Sequence, residues 1–283
     1  MEYDFENAPD RSHTDLVKWD VKPGELPMWI ADMDFKTAPE IIEAMQAKIS
    51  LGAFGYEWPQ KDYFNAVADW YETEHGCRPH NDWMIFTTGV VPAISTIVRR
   101  VSHIGDNVLV QEPVYNIFYN SILNNVRHVL SSDLAFDGKN YSVDWTDLEE
   151  KLANPLTTLM IFCNPHNPIG KVWTKAEVQR VAQLCQKHHV VLLSDEIHGD
   201  LVRKGQGYTP AFSIEAKSNV QKVANNSAEL VEFLRKETGL IVSAGSVYRG
   251  NGQDFIRINL ACPLAMVKDG INRLAEGIRK YSK

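Results

Sequence analysis

The stretch VVLLSDEIHGD, Val190 to Asp200, limits what this chain can fold into more than any other. An unbroken apolar run, Val190 to Leu193, leads straight into Asp195, Glu196 and His198. Runs of this kind, without alternation, are typical of parallel strands covered on both faces. A parallel sheet needs crossover connections, so helices must lie between its strands. It also places ligands beyond the carboxyl ends of those strands. Charge at the end of a buried strand is costly unless it is partnered. Either the strand simply ends and its acids are solvated, or a carboxylate is held there to meet a ligand. The stretch alone leaves both readings open.

The rest of the chain supplies the alternation that such a sheet requires. MIFTTG (Met84–Gly89), NVLVQEP (Asn107–Pro113), TTLMIFCNP (Thr157–Pro165) and VVLLSDE read as strands. A helix is expected from Pro92 through PAISTIVRRVSHIG. Another is expected from the Thr174-x-x-Glu177 capping box to about His189. Two helices precede these. Thr37-Ala38-Pro39-Glu40 reads as a capping box opening a helix to Ser50, and a second runs from Lys61 to Gly76. From Ser227 the character changes to helix, strand, strand and helix. The fold class expected is therefore α/β: a doubly wound, mostly parallel sheet in a large domain with a smaller α+β domain. Residues 1–35 form an N-terminal arm and part of the small domain, 36–213 the large domain, and 214–283 the rest of the small domain.

Composition narrows the partners. The net charge of −7 and the lack of any basic run argue against nucleic acid and anionic membrane. No apolar stretch reaches the length of a membrane span, and the polar, acidic start does not read as a signal peptide. Four cysteines without a C-x-x-C pair suit a reducing, cytoplasmic setting. A metal hydrolase using His166, Asp195, Glu196 and His198 lacks H-E-x-x-H or comparable ligand spacing, and no metal is expected.

Three strand ends carry unusual residues. Thr87-Thr88-Gly89-Val90-Val91 joins a strand to a helix, whose free N–H groups suit a phosphate. Asn164-Pro165-His166-Asn167-Pro168-Ile169-Gly170 presents amides on a turn-prone backbone. Asp195 supplies a carboxylate. A phosphorylated, cationic heterocycle would suit that set. Taken in order, TTGVVPAI, EPVYNIFY, CNPHNPIG, SDEIHGD and FIRINLACP resemble pyridoxal-phosphate (PLP) enzymes of the aspartate aminotransferase fold. PMWIADMDF and FGYEWP point further to the MalY/PatB-type cystathionine β-lyases, which split C–S bonds in amino acids.

The resemblance implies roles for particular residues. Backbone N–H groups of Gly89, Val90 and Val91 would hold the cofactor phosphate. Tyr115 would stack on the pyridine ring, Asn167 would hydrogen-bond its phenolic oxygen, and Asp195 would pair with its ring nitrogen. His198 falls where related enzymes place a tyrosine near the phenolic oxygen. Tyr56 would reach the site of a neighbouring subunit in a homodimer, and Arg257 would clamp the carboxylate of a small amino-acid substrate. The activity implied is that of a C–S β-lyase or an aminotransferase.

One part of the pattern is absent. The family carries a Schiff-base lysine after a further strand, beyond the aspartate. Here the resemblance breaks after YTPAFSI and resumes near SAELVEF, so the chain looks internally shortened. The nearest lysines are Lys217 and Lys222, and neither follows a buried-strand pattern. The shortening would also leave strand edges and apolar faces open. A protein that keeps the pocket but lacks the lysine, holding PLP noncovalently without turning over, is the alternative function class.

Overall fold

In the computed structural model the central strand is Thr157–Cys163, and its side chains alternate between two apolar layers. The structure describes residues 3–4, 9–23, 30, 32–214, 227–238, 240, 242–244, 256–257 and 264–281. Two compact units divide the chain, Met1–Gln60 and Lys61–Lys283. The first holds α1 (Pro39–Ser50). The second runs α2 (Lys61–His75), α3 (Val90–Val101), β1 (Asn107–Val110), α4 (Ile117–Leu123), β2 (His128–Ser131), β3 (Ala135–Phe136) and β4 (Tyr141–Ser142). It continues through α5 (Trp145–Leu152), β5 (Thr157–Cys163), α6 (Lys175–Lys187), β6 (Val191–Asp195), α7 (Ser227–Thr238), β7 (Ser243–Ala244), β8 (Ile256–Arg257) and α8 (Leu264–Tyr281).

Four strands form one sheet in the order β2-β1-β5-β6, and every neighbouring pair is parallel. Alternate residues of a strand face opposite sides, and here both sides are apolar. Leu109, Met160 and Phe162 pack against Leu148 and Leu152 of α5 and Val178, Val181 and Leu184 of α6. Val108, Val110, Leu159 and Ile161 pack against Ile94 and Val98 of α3 and Phe118 and Ile122 of α4. Helices on both faces of a parallel sheet are the expected doubly wound arrangement. β7 and β8 pair antiparallel, Ser243 opposite Arg257, and α7 packs on α8.

Helix termini follow local chemistry. Thr174 and Glu177 form the expected reciprocal capping box at α6. Asp144 caps α5 by accepting from the N–H groups of Thr146 and Asp147 at 3.0 and 3.1 Å. The box expected at Thr37 does not form. Pro39 opens α1, which makes Ala38 the cap residue and leaves Thr37 one position too early. In the first unit, Asp34 instead anchors the arm. It accepts from Lys18 Nζ at 2.6 Å and from Trp19 Nε1 at 2.9 Å, and it pairs with Arg11.

MIFTTG is the one expected strand that is not a strand. Residues 84–87 carry no regular structure, although Met84 keeps extended dihedrals. Its apolar side chains are largely exposed, Ile85 at 86% and Phe86 at 52%. A strand exists only where a neighbour accepts its ladder, and no described strand lies beside this segment. β6 tells the same story from the other side. Its outer edge has no partner among the described residues, and Val191 is exposed.

α3 is oriented by its C-terminus. Buried Arg127, just ahead of β2, donates to the carbonyls of Ser102 at 2.5 Å and Arg99 at 3.3 Å, and to Ser102 Oγ at 2.9 Å. A cation there satisfies the last carbonyls of the helix and complements its dipole. It also fixes the end of α3 at the amino end of the sheet, so the start of the helix points to the carboxyl end. Arg127→Met should therefore cost about 2–3 kcal/mol, since carbonyls buried by the fold lose their donors. Urea unfolding of the variant checks this.

Candidate active site

The carboxyl ends of β1, β5 and β6 lie side by side, and the loops leaving them are stitched together. Cys163 and Asp195 are register partners, and the N–H of Asn164 donates to the Asp195 carbonyl at 2.9 Å. His166 Nε2 lies 2.9 Å from the Pro113 carbonyl, which ties the loop after β5 to the loop after β1. Asn164 Nδ2 donates to the Thr209 carbonyl at 3.1 Å, tying it to the segment after β6. Burial holds the pKa of His166 below the usual imidazole range, so it is neutral and donates from Nε2.

The Asn-Pro pairs of CNPHNPIG form a closed turn. The N–H of Gly170 donates to the His166 carbonyl, and that of His166 to the Lys171 carbonyl, both at 2.8 Å. Half-buried Asn167 sits within this turn, and its N–H donates to Cys163 Sγ at 3.4 Å. Tyr115 is half-buried on the neighbouring loop, its ring edge-on to Phe118 at 5.8 Å.

α3 begins two residues earlier than Pro92. Gly89 is its N-cap, at φ +151°, and Val90 and Val91 are the first two helical residues. No side chain caps this end. A Cβ at Gly89 would demand a backbone conformation that L-residues rarely adopt. The result is a bare helix N-terminus on the carboxyl side of the sheet, the kind of end that binds phosphate.

Asp195 is 7% exposed. Among the described residues no ion pair reaches it, and its Oδ1 accepts from the Ile197 N–H at 3.2 Å. Burial raises its pKa above the usual carboxylate range, only partly opposed by that N–H and by His198. The folded chain therefore holds this proton more tightly than the unfolded chain. By linkage its contribution favours folding below the unfolded-state pKa and is lost as pH rises to the folded-state value. Without ligand, thermal stability should carry a component that falls through that window. Asp195→Asn should lack it, as parallel melts of both proteins across pH would show.

Four residues singled out in the sequence are not placed with these. Lys217 and Lys222 lie outside the described residues. Arg257 pairs through its backbone in β8, and its side chain lies outside them too. Tyr56 belongs to the first unit and is fully exposed. The structure adds residues that spacing did not reveal, Tyr208 and Thr209 on the segment after β6 and Gln111 after β1, and gives Glu196 and Asn164 partners: Glu196 accepts from Tyr208 and Asn164 donates to Thr209. Buried Gln111 has no side-chain partner among the described residues, and neither does Asn164 Oδ1. An apolar run that ends in a polar residue, as NVLVQ does, is the sequence signal that could have marked Gln111.

Comparison with known proteins gives the chain a family. Residues 28–225 match the family model described as aminotransferase class I and II. Cystathionine beta-lyase PatB of Bacillus subtilis (strain 168) is 41% identical over 217 residues, covering 74% of this chain and 56% of PatB. Protein MalY of Escherichia coli (strain K12) is 36% identical over 215 residues, covering 74% of this chain and 55% of MalY. The chain thus spans about half the length of the curated relatives it matches. Cystalysin from Treponema denticola, a solved structure containing pyridoxal 5′-phosphate, superposes with a TM-score of 0.72 at 23% identity, over 99% of this chain and 100% of that one. That likeness concerns the fold; the family follows from the sequence match over most of the chain and from the strand-end motifs that the fold gathers on one edge, and the chain belongs to the class I and II aminotransferases.

Proposed function

We propose that this chain is built to bind PLP and to serve the cleavage of a Cβ–S bond in a small amino acid. The observation that carries the reading is Asp195: a buried carboxylate, at the end of a parallel strand, with no ion pair among the described residues. A cationic N–H of a bound heterocycle would supply the missing partner and offset the desolvation. The other donors fit the same ligand. The bare N-terminus at Gly89, Val90 and Val91 would take phosphate oxygens, Tyr115 would cover the ring, and the Asn167 amide would donate to a phenolic oxygen. His198, three residues beyond Asp195, would face the same side. When bound, PLP supplies an electron sink for the bond broken at the substrate Cα. Asp195 would keep that sink effective by holding a proton on the ring nitrogen. Arg257 would grip the substrate carboxylate. A homodimer fits the exposed Tyr56, flanked by exposed Phe54 and Trp58, as a residue donated to a neighbouring subunit.

C–S cleavage is favoured over amino transfer because PatB, a cystathionine beta-lyase, is 41% identical. A second reading rests on the sequence around Lys217 and Lys222, neither of which follows a strand pattern: a chain that holds PLP without a Schiff-base lysine. Incubation with PLP and cystathionine separates these readings. Thiol release in step with 2-oxo acid formation, accompanied by a borohydride-stable label on one lysine, is the outcome the lyase reading requires; absence of turnover and of label is the result expected of a chain without the lysine-bearing segment. Oxo acid formed only with an oxo-acid acceptor, and no thiol, would reassign the chain to amino transfer. Bound PLP with neither product nor label would leave the ligand-holding reading.

A further inference from the structure

Asp195 is followed at once by a second carboxylate, and the two live in opposite circumstances. Glu196 accepts three hydrogen bonds: from Ser194 Oγ, from Tyr208 Oη and from the Ala211 N–H, each at 2.7 Å. Those donors bring residues 208–211 back to the end of β6 and close the intervening segment into a ring. Gly199 makes the closure possible. A Cβ there would lie 2.9 Å from Tyr208 Cζ and 3.0 Å from its Oη, so the phenol occupies the space of a side chain. Burial and the Glu196 charge raise the pKa of Tyr208, which keeps it a donor. From outside, α2 braces the same segment. His75 Nε2 and Trp70 Nε1 meet Asp200 Oδ1 at 2.7 and 3.0 Å, and the His75 ring lies 5.0 Å from that of Tyr208.

The ring also reaches the site. Thr209, between Tyr208 and Ala211, accepts from Asn164, and the N–H of Asn164 donates to the Asp195 carbonyl. We propose that Glu196 is a positioning residue: by holding Tyr208 and the Ala211 N–H it fixes the segment after β6, so that the neighbouring carboxylate of Asp195 stays free and aimed at a cationic ring nitrogen. One acid is consumed by the fold so that the next one is left for the ligand. This inference rests on the reading that Asp195 receives such a cation.

The test compares two phosphate-bearing probes by quenching of intrinsic fluorescence: pyridoxine phosphate, which carries the ring nitrogen, and benzyl phosphate, which does not. The full chain is used, with Glu196→Gln and Tyr208→Phe as variants. Glutamine keeps the shape but turns an N–H₂ toward one of the three donors. Phenylalanine keeps the ring against Gly199 and His75 and removes only the hydroxyl. The wild type should prefer pyridoxine phosphate. Each variant should lose about tenfold of that preference, the worth of one charge-assisted hydrogen bond, with benzyl phosphate affinity unchanged. The double variant should lose no more than Glu196→Gln alone, because the two residues act as one pair. Variants that keep the full preference would overturn the positioning role. Equal loss of both probes in both variants would make Glu196 purely structural and overturn it as well. A wild type that prefers neither probe would bring down the Asp195 reading itself, and this inference with it.

Discussion

Asp195→Asn should weaken PLP binding by about 10- to 100-fold, the range of a charge-assisted hydrogen bond, while making the unliganded chain more stable at neutral pH. The two effects have opposite signs for one reason. Without ligand, the ionised carboxylate is buried and unpaired among the described residues, which is costly. An amide of the same shape removes that cost, by about 1 kcal/mol on the scale of unsatisfied buried groups. With PLP bound, the amide carries no charge to hold the ring nitrogen protonated, so the gain on binding disappears. A residue serving only the fold would lower both quantities. Dye-monitored melting and a PLP titration of the two proteins are sufficient to see the crossing.

The second large effect concerns Trp173, which should cost about 3–5 kcal/mol when replaced by alanine. Its ring is fully buried, 5.7 Å from those of Phe162 and His166, with Lys171 Nζ 4.5 Å over it. Its Nε1 donates to the Cys163 carbonyl at 2.9 Å, the last residue of β5. Alanine would leave a cavity beneath the turn that carries Asn167 and strip that carbonyl of its donor. Trp173→Phe retains most of the packing and should lose about 1–3 kcal/mol, the cost of the unsatisfied carbonyl. Denaturant midpoints rank the pair. A loss in Trp173→Phe as large as in Trp173→Ala would mean the hydrogen bond, and not packing, carries the stability.

The sheet was legible because its strands are continuous apolar runs with turn chemistry at their ends. β1, β5 and β6 fall within the runs read from sequence, and Asp195 and the turn that carries Asn167 follow from the carboxyl ends of neighbouring parallel strands, while Gly89 caps α3. MIFTTG has the same apolar pattern and did not become a strand. Pattern reports what a segment can bury, while a strand also needs a neighbour to accept its ladder. β2 was missed because HVLS is short and half exposed. α5 was missed because its signal is a single capping Asp144 before a mostly polar turn. The capping box at Thr37 failed by one residue, since Pro39 decides where α1 starts. At the site, the roles of Glu196 and Tyr208 were hidden for a different reason. They lie 12 positions apart in the sequence and meet only when the segment after β6 folds back.

Every functional statement turns on whether Asp195 holds a proton on a bound ring nitrogen. The measurement that tests this most directly is the magnetic resonance of an isotope-labelled pyridine nitrogen in PLP added to the chain. It should be made at a pH where the ring nitrogen of free PLP is unprotonated. A shift characteristic of pyridinium in the wild type, reverting to neutral pyridine in Asp195→Asn, is the expected result. A neutral pyridine nitrogen in the bound wild type would contradict the account.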